Sequence, residues 1–214
     1  MYAFVEAPAS VPAGAGIDAA ALEAVVAGGV DAVVSRHDSA APEATEAAIV
    51  AHARVVDAIA AANGAVLPAR FAGGYADADA LRAAVSERES ELSAALARVR
   101  GCVELGVRAL VPAGERVAAE SGAAYMQARL ERRRETERLA EELHAPLAAL
   151  ARDATQTVGA TERLLLSAAY LVPEEAVAEF RELVARLEEA HPELGIVCTG
   201  PWPPYSFATA EAGS

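Results

Sequence analysis

From Cys102 onward the chain reads strand, helix, strand, strand, helix, strand, an order that only a few folds accommodate. It is the split βαβ, or ferredoxin-like, arrangement. Cys102 to Val111 is an apolar strand ended by Pro112 and Gly114. A long helical segment, roughly Glu115 to Ala151, follows, with Tyr125, Met126, Leu130, Leu139, Leu143, Leu147 and Leu150 as its apolar contacts. Pro146 is expected to kink or split it, because proline lacks a backbone donor and clashes with the preceding turn. Asp153 to Val158 and Arg163 to Val172 flank Gly159-Ala-Thr161 as a hairpin. Pro173, Glu174 and Glu175 start a helix with the stripe Val177, Phe180, Leu183, Leu187, Ala190; Pro192 stops it, and Leu194 to Thr199 is the last strand.

The first half has another rhythm. Tyr2 to Glu6 is a strand, closed by the small residues of Pro8 to Gly16. Asp18 caps a short helix through Ala27, which Gly28-Gly29 ends, and Val30 to Ser35 is a second strand. A helix follows Pro42, with Glu43 and Glu46 in its first turn and the stripe Ile49, His52, Ala53, Val56, Ile59, Ala60, stopped at Asn63-Gly64. Ala65 to Phe71 is a third strand, where Pro68 signals an edge or a bulge. Asp77 opens a long helix carrying Leu81, Val85, Leu92, Leu96 and Val99, closed by Gly101. This half alternates β-α-β-α-β-α as a small α/β unit. The fold class is therefore α+β / α/β in two domains with separate cores, 1–100 and 101–214, the second ferredoxin-like (βαββαβ) with a long helix.

Charge narrows the function. All 18 basic residues are arginine, and 31 acidic residues leave a net charge of −13. Without lysine there is no Schiff base, no pyridoxal anchor and no phosphate-loop lysine. An acidic surface repels phosphate backbones, so no nucleic acid partner is expected. No stretch of about 18 apolar residues is free of charges or breakers, and no basic segment precedes Tyr2–Val5, so no membrane span and no secretory leader are expected. Cys102 and Cys198 have no metal spacing and fit reduced thiols of a cytoplasmic protein. In the ferredoxin-like order they fall on adjacent strands, near each other but unbridged.

No catalytic, cofactor-binding or metal motif emerges. Gly14-x-Gly16 lacks its third glycine, Gly101 to Gly106 has phosphate-loop spacing without the lysine, and no Gly-x-Ser-x-Gly elbow exists. His37, His52, His144 and His191 stand outside zinc-binding contexts. His37-Asp38 reads as a surface pair after a strand, and His52 as a packed histidine on an apolar helix face. His144 reads as a surface residue, and His191 as a cation at a helix C-terminus. The run Glu131-Arg-Arg-Arg-Glu-Thr-Glu-Arg138 neutralises itself at spacings of three and four, as an ion-paired solvated face or a docking face. An RNA-recognition reading of the second half would need several stacking aromatics where Arg163 to Val172 offers only Tyr170. The only seed of an enzyme is a cluster of His52, Arg70 and Glu104, where Arg70 and Glu104 read more simply as strand polar residues, paired with each other.

Several segments carry a resemblance. Val66-Leu-Pro-Ala-Arg-Phe71 follows the helix containing His52-Ala-Arg-Val-Val56; then come Val103-Glu-Leu-Gly-Val107, Ala168-Ala-Tyr-Leu-Val172 and Thr199-Gly-Pro-Trp-Pro-Pro-Tyr-Ser-Phe207. In order and spacing, over nearly the whole chain, they resemble the gas vesicle accessory proteins GvpF and GvpL. The family's Leu-Pro-x-Arg-Phe-Gly reads Leu67-Pro-Ala-Arg-Phe-Ala72 here, with glycine displaced to Gly73. The resemblance implies a two-domain protein with a modified ferredoxin-like second domain, no inherited catalytic residues and no cofactor. It also implies a role in gas vesicle assembly, at the vesicle, through contact with the GvpA-like shell protein and other accessory proteins. Whether the chain is of the F or the L type stays open. So does a different class, a small-molecule-binding ferredoxin-like domain protein, which a concave apolar pocket would favour.

The end of the chain concentrates Trp202, Tyr205 and Phe207 among three prolines. Either this tail folds back onto the protein, with Trp202 mostly buried, or it is held out for a partner.

Overall fold

Two four-stranded antiparallel sheets and five α-helices form in the computed structural model, which describes residues 1–37, 42–112, 122–159, 161 and 163–208. Residue contacts gather into two units, Met1–Val103 together with the stretch from Trp202, and Glu104–Pro201.

In the first unit β1 (Ala3–Glu6), β2 (Leu22–Ala27), β3 (Val30–Ser35) and β4 (Val66–Pro68) pair in the order β2-β3-β1-β4. The expected helix from Asp18 to Ala27 is absent. Ile17–Ala19 is a single 3-10 turn with Asp18 and Ala19 at positive φ, and Leu22–Ala27 pairs with β3 from Leu22↔Ser35 to Ala27↔Val30. Alanine-rich sequence accepts either state, and the glycine pair decides. Gly28, at φ 78, turns the chain back within two residues, which is hairpin geometry rather than a helix stop. The alternating β-α-β-α-β-α reading is thereby corrected to an α+β unit.

α1 (Glu46–Ala62) starts at Thr45, whose hydroxyl accepts the amide of Ala48 at 3.2 Å, three residues later than Pro42 suggests. His52, Val55, Val56 and Ile59 face the core, while Ile49 from the expected stripe is 47% exposed. Asn63 ends the helix by donating to the carbonyl of Ile59 at 2.8 Å. β4 is an edge strand, where Pro68 withholds no ladder bond from the sheet interior. The long helix after Asp77 is two, α2 (Ala78–Glu87) and α3 (Glu89–Val99), broken at Arg88 (φ −115, ψ 13). Leu81, Val85, Leu92, Leu96 and Val99 are buried as their spacing indicates. Asp31 is also buried; one carboxylate oxygen accepts the amide of Ala9 at 2.9 Å and ties down the segment after β1.

In the second unit β5 (Cys102–Leu110), α4 (Gly122–Ala148), β6 (Asp153–Val158), β7 (Leu164–Pro173), α5 (Val177–Ala190) and β8 (Gly195–Trp202) follow the element order read from the sequence. The sheet order is β6-β7-β5-β8. Leu143 and Leu147 of α4 and Phe180 and Val184 of α5 pack with Leu105, Val107 and Tyr170 of the sheet. Pro146 does not split α4: the helix runs through it and ends two residues later, at Ala148. The expected helix start at Glu115, with the Gly114 breaker, lies outside the described residues, as do Asp38, Ala160 and Glu162. β8 runs on through Pro201, which an edge strand tolerates. Its neighbour is β5, with Thr199 beside Gly106 and Gly195 beside Leu110, so Cys198 lies several residues along the strand pair from Cys102 and the expected closeness of the two thiols is corrected; neither is disulfide-bonded.

After β8 the tail folds back. Pro203, Pro204 and Phe207 are buried in the first unit, and the guanidinium of Arg98 donates to the carbonyl of Phe207 at 2.7 Å. Trp202 is 51% exposed, so its expected burial is corrected: the prolines and Phe207 make the anchor, and the indole stands beyond it. Thermal unfolding should therefore show Phe207→Ala losing about 3–5 kcal/mol and Trp202→Ala about 1 kcal/mol.

Candidate functional site

Strand periodicity puts Glu23 and Val25 of β2 beside Val34 of β3 along one wall of a cleft of about 670 Å³ in the first unit. Arg36 and His37 continue that wall beyond β3. The loop after β4, Ala72 to Ala76, and the first turn of α2 form the other wall. Ala72 takes φ 63, a left-handed conformation that costs a side-chain-bearing residue about 1–2 kcal/mol. It is the position at which the family pattern has glycine. Ala72→Gly should raise stability by about 1 kcal/mol in denaturant titration, the relief of strain exceeding the entropy lost.

The polar groups of the cleft are engaged with one another. Arg36 pairs with Glu23, and the carboxylate of Asp77 accepts the amide of Ala80 at 2.8 Å to cap α2. A seam of hydrogen bonds runs behind them. The amide of Ile17 donates to the Tyr2 hydroxyl (2.8 Å), which lies 2.9 Å from Ser35 Oγ, itself 2.8 Å from His37 Nε2. Among the described residues the carboxylate paired with it, Asp18, is 4.0 Å from His37 Nδ1, too far for a hydrogen bond that would orient the ring. Ser35 and His37 thus have the separation of a nucleophile and base, but the serine oxygen is also held by Tyr2 and no group among the described residues fixes the imidazole through its Nδ1. The arrangement offers a mixed-sign, hydrogen-bonding rim above Val25, Val34 and Leu81. The reading of His37-Asp38 as a surface pair misses this seam, for which the spacing of two between Ser35 at the end of β3 and His37 just beyond it is the one local signal.

His52 is where its helix stripe places it. It is buried, its Nε2–H donates to the carbonyl of Ala69 at 3.1 Å, and its ring lies 5.2 Å from that of Tyr2 and 5.7 Å from that of Phe71. Burial lowers its pKa. Arg70 is exposed at the end of the same strand segment, whereas Glu104 lies on β5 in the other unit. His144 is not a surface residue: half-buried, its Nδ1 lies 2.9 Å from the buried Tyr170 hydroxyl. His191 ends α5 with Glu193 at 3.4 Å and Glu142 at 3.9 Å from its ring. Burial pushes the Cys198 thiol up, away from the reactive thiolate. Among the described residues no group of three His, Cys, Asp or Glu side chains is placed to hold a metal ion, and no helix is long and apolar enough to cross a membrane.

The depressed pKa of His52 has a definite sign in linkage. The unfolded imidazole takes a proton near pH 6.5 while the folded one resists it, so the stabilisation is complete above about 6.5 and falls away as pH drops below it. His52→Ala should cost about 1–3 kcal/mol at neutral pH through lost packing. The gap between parent and variant should narrow from pH 7 to pH 5, read from unfolding midpoints.

A family model described as gas vesicle synthesis protein GvpL/GvpF matches residues 1–209. Gas vesicle protein F2 of Halobacterium salinarum is 30% identical over 187 residues, 86% of this chain and 79% of the relative. Gas vesicle protein L of a Streptomyces species is 33% identical over 183 residues, 73% of this chain and 68% of the relative. The crystal structure of the gas vesicle protein GvpF from Anabaena superposes with a TM-score of 0.82 at 18% identity, covering 98% of this chain and 95% of that one.

Proposed function

The chain belongs to the GvpL/GvpF family of gas vesicle synthesis proteins, and on that premise we propose that it is a cytoplasmic, non-enzymatic accessory protein of gas vesicle assembly that binds the GvpA-like shell protein and other accessory proteins. The observation that carries this reading is the family match, which runs through both halves of the chain rather than through one module. The physics of the task supports it. A shell subunit before assembly exposes apolar surface and strand edges, which a soluble partner must cover without polymerising itself. A net charge of −13 suits such a partner, and the exposed Trp202 and Tyr205 on an anchored tail are the residue types that carry binding energy at protein interfaces.

In this reading the chain works as two parts, 1–100 and 101–214, the second a modified ferredoxin-like domain. The strand order β6-β7-β5-β8 and the turn at Gly101, at φ 65, support that division. A second reading, binding of a small molecule, is favoured by the cleft walled by β2, β3 and the Ala72–Ala76 loop, in the first unit rather than in the ferredoxin-like part.

Immobilised full-length chain should retain purified shell protein, and retention should survive His37→Ala, which alters only the outer end of the cleft seam. Cells lacking the chain should fail to form vesicles. Normal vesicles in such cells, with no retention of the shell protein, would reject the assembly role.

A further inference from the structure

Residues 126–135 of α4 have no packing partner among the described residues of their unit. Every residue from Met126 to Glu135 is exposed. A helix solvated on all sides is held by ion pairs along its surface or by something outside it. Arg133 pairs with Glu137 at 2.8 Å, and Arg138 with Glu135 at 2.7 Å. Arg129, Arg132 and Arg134 form no ion pair among the described residues. Met126 and Leu130, 53% and 52% exposed, stand four apart on one face. From Met126 to Arg138 there are five arginines and three glutamates, in a chain whose net charge is −13. The segment is a cationic arm with an apolar pair at its N-terminal end.

The same unit carries a surface of opposite character. Glu175, Glu182 and Glu189 recur every seven residues along α5 and the turn before it, which keeps them on one face. All three are exposed and make no ion pair among the described residues, and beside them lie the exposed Ala178 and Ala185. Small residues between carboxylates receive what the arm presents, bulky apolar side chains flanked by guanidinium groups. Within one chain the two surfaces do not meet. α4 approaches the end of α5 through Glu142, 3.9 Å from His191, while the arm's own residues stay exposed.

We propose that they meet between two copies of this chain, the arm of each lying along α5 of the other. Such a reciprocal contact is self-complementary and closed, so it yields a dimer and not a filament. Met126 adapts to the alanine surface, and the arginines discriminate for the acidic face. The contact is small and charge-rich, so the dimer is weak and salt-sensitive.

Sedimentation equilibrium of the full chain tests this directly. The parent should rise with concentration from 22.0 kDa towards twice that mass at low salt, and return to 22.0 kDa at high salt. An arm variant (Arg129→Glu, Arg132→Glu, Arg134→Glu) and an α5 variant (Glu175→Arg, Glu182→Arg, Glu189→Arg) should each stay monomeric, since like charges then face one another in both contacts. Mixed in equal amounts they should dimerise, because each reversed arm now meets a reversed face. Circular dichroism confirms that each variant is folded, and Met126→Ala with Leu130→Ala should weaken the dimer without changing charge. A parent that is monomeric throughout, a variant that dimerises alone like the parent, or a mixture that stays monomeric would each overturn the pairing. So would a monomeric parent whose arm instead binds vesicles of anionic lipid.

Discussion

A buried phenol must find a hydrogen-bond partner for its hydroxyl, and the core of each unit is organised around one. Tyr2, near the start of the chain, sits almost wholly inside the first unit. Its hydroxyl takes the amide of Ile17 and meets Ser35, its ring lies against His52, its amide donates to Val33 and its carbonyl accepts from Ala69. One residue thereby joins β1 to β3, to the end of β4, to α1 and to the segment before β2. Tyr170 has the same place in the second unit, with His144 on its hydroxyl and Phe180 against its ring. Burial pushes both the Tyr170 phenol up and the His52 imidazole down, so each stays in its neutral form within its core.

Around these centres the stabilisation comes from apolar packing, and apart from the buried Asp31 the described ionisable acids and arginines lie outside it. The ion pairs Arg36–Glu23, Arg82–Asp79, Arg88–Glu91 and Arg133–Glu137 are local and solvent-exposed, a setting in which each adds little to stability. Arginine makes better use of such positions than lysine, because its planar fork holds a carboxylate with two nitrogens. Arg138 does this with Glu135, at 2.7 and 3.1 Å, while reaching Glu142 at 3.0 Å. The excess of acid is left to govern solubility and encounter with partners.

The second half of the chain was legible in its sequence because each of its signals lies within the segment it describes. Leu143 and Leu147, or Phe180 and Val184, reveal a buried helix face by spacing alone, and Pro192 marks a stop without reference to anything distant. Leu22–Ala27 was not legible in this way. Alanine and valine there satisfy helix and strand equally, and the choice fell to the pairing partner, β3, and to the turn at Gly28. The cleft seam was hidden for a related reason: Tyr2, Ile17, Ser35 and His37 come from separate segments, and no single window contains them. Trp202 illustrates the limit of composition. Three aromatics and three prolines left a docked tail and a tail held out for a partner both open, and only packing chose Phe207 as the anchor and left the indole in solvent.

By itself, then, the sequence determined the element order of the second half, the sign of the net charge, the absence of lysine chemistry and the motifs that place the chain in its family. The tertiary structure decided which strand β2 joins, where His37 and His144 find their partners, and which tail residue is buried. The physical reason is one of range. Periodicity, capping and charge are properties of neighbours along the chain, whereas pairing and burial are set by contacts between distant segments, selected by how well their shapes and polar groups satisfy one another once the chain has closed.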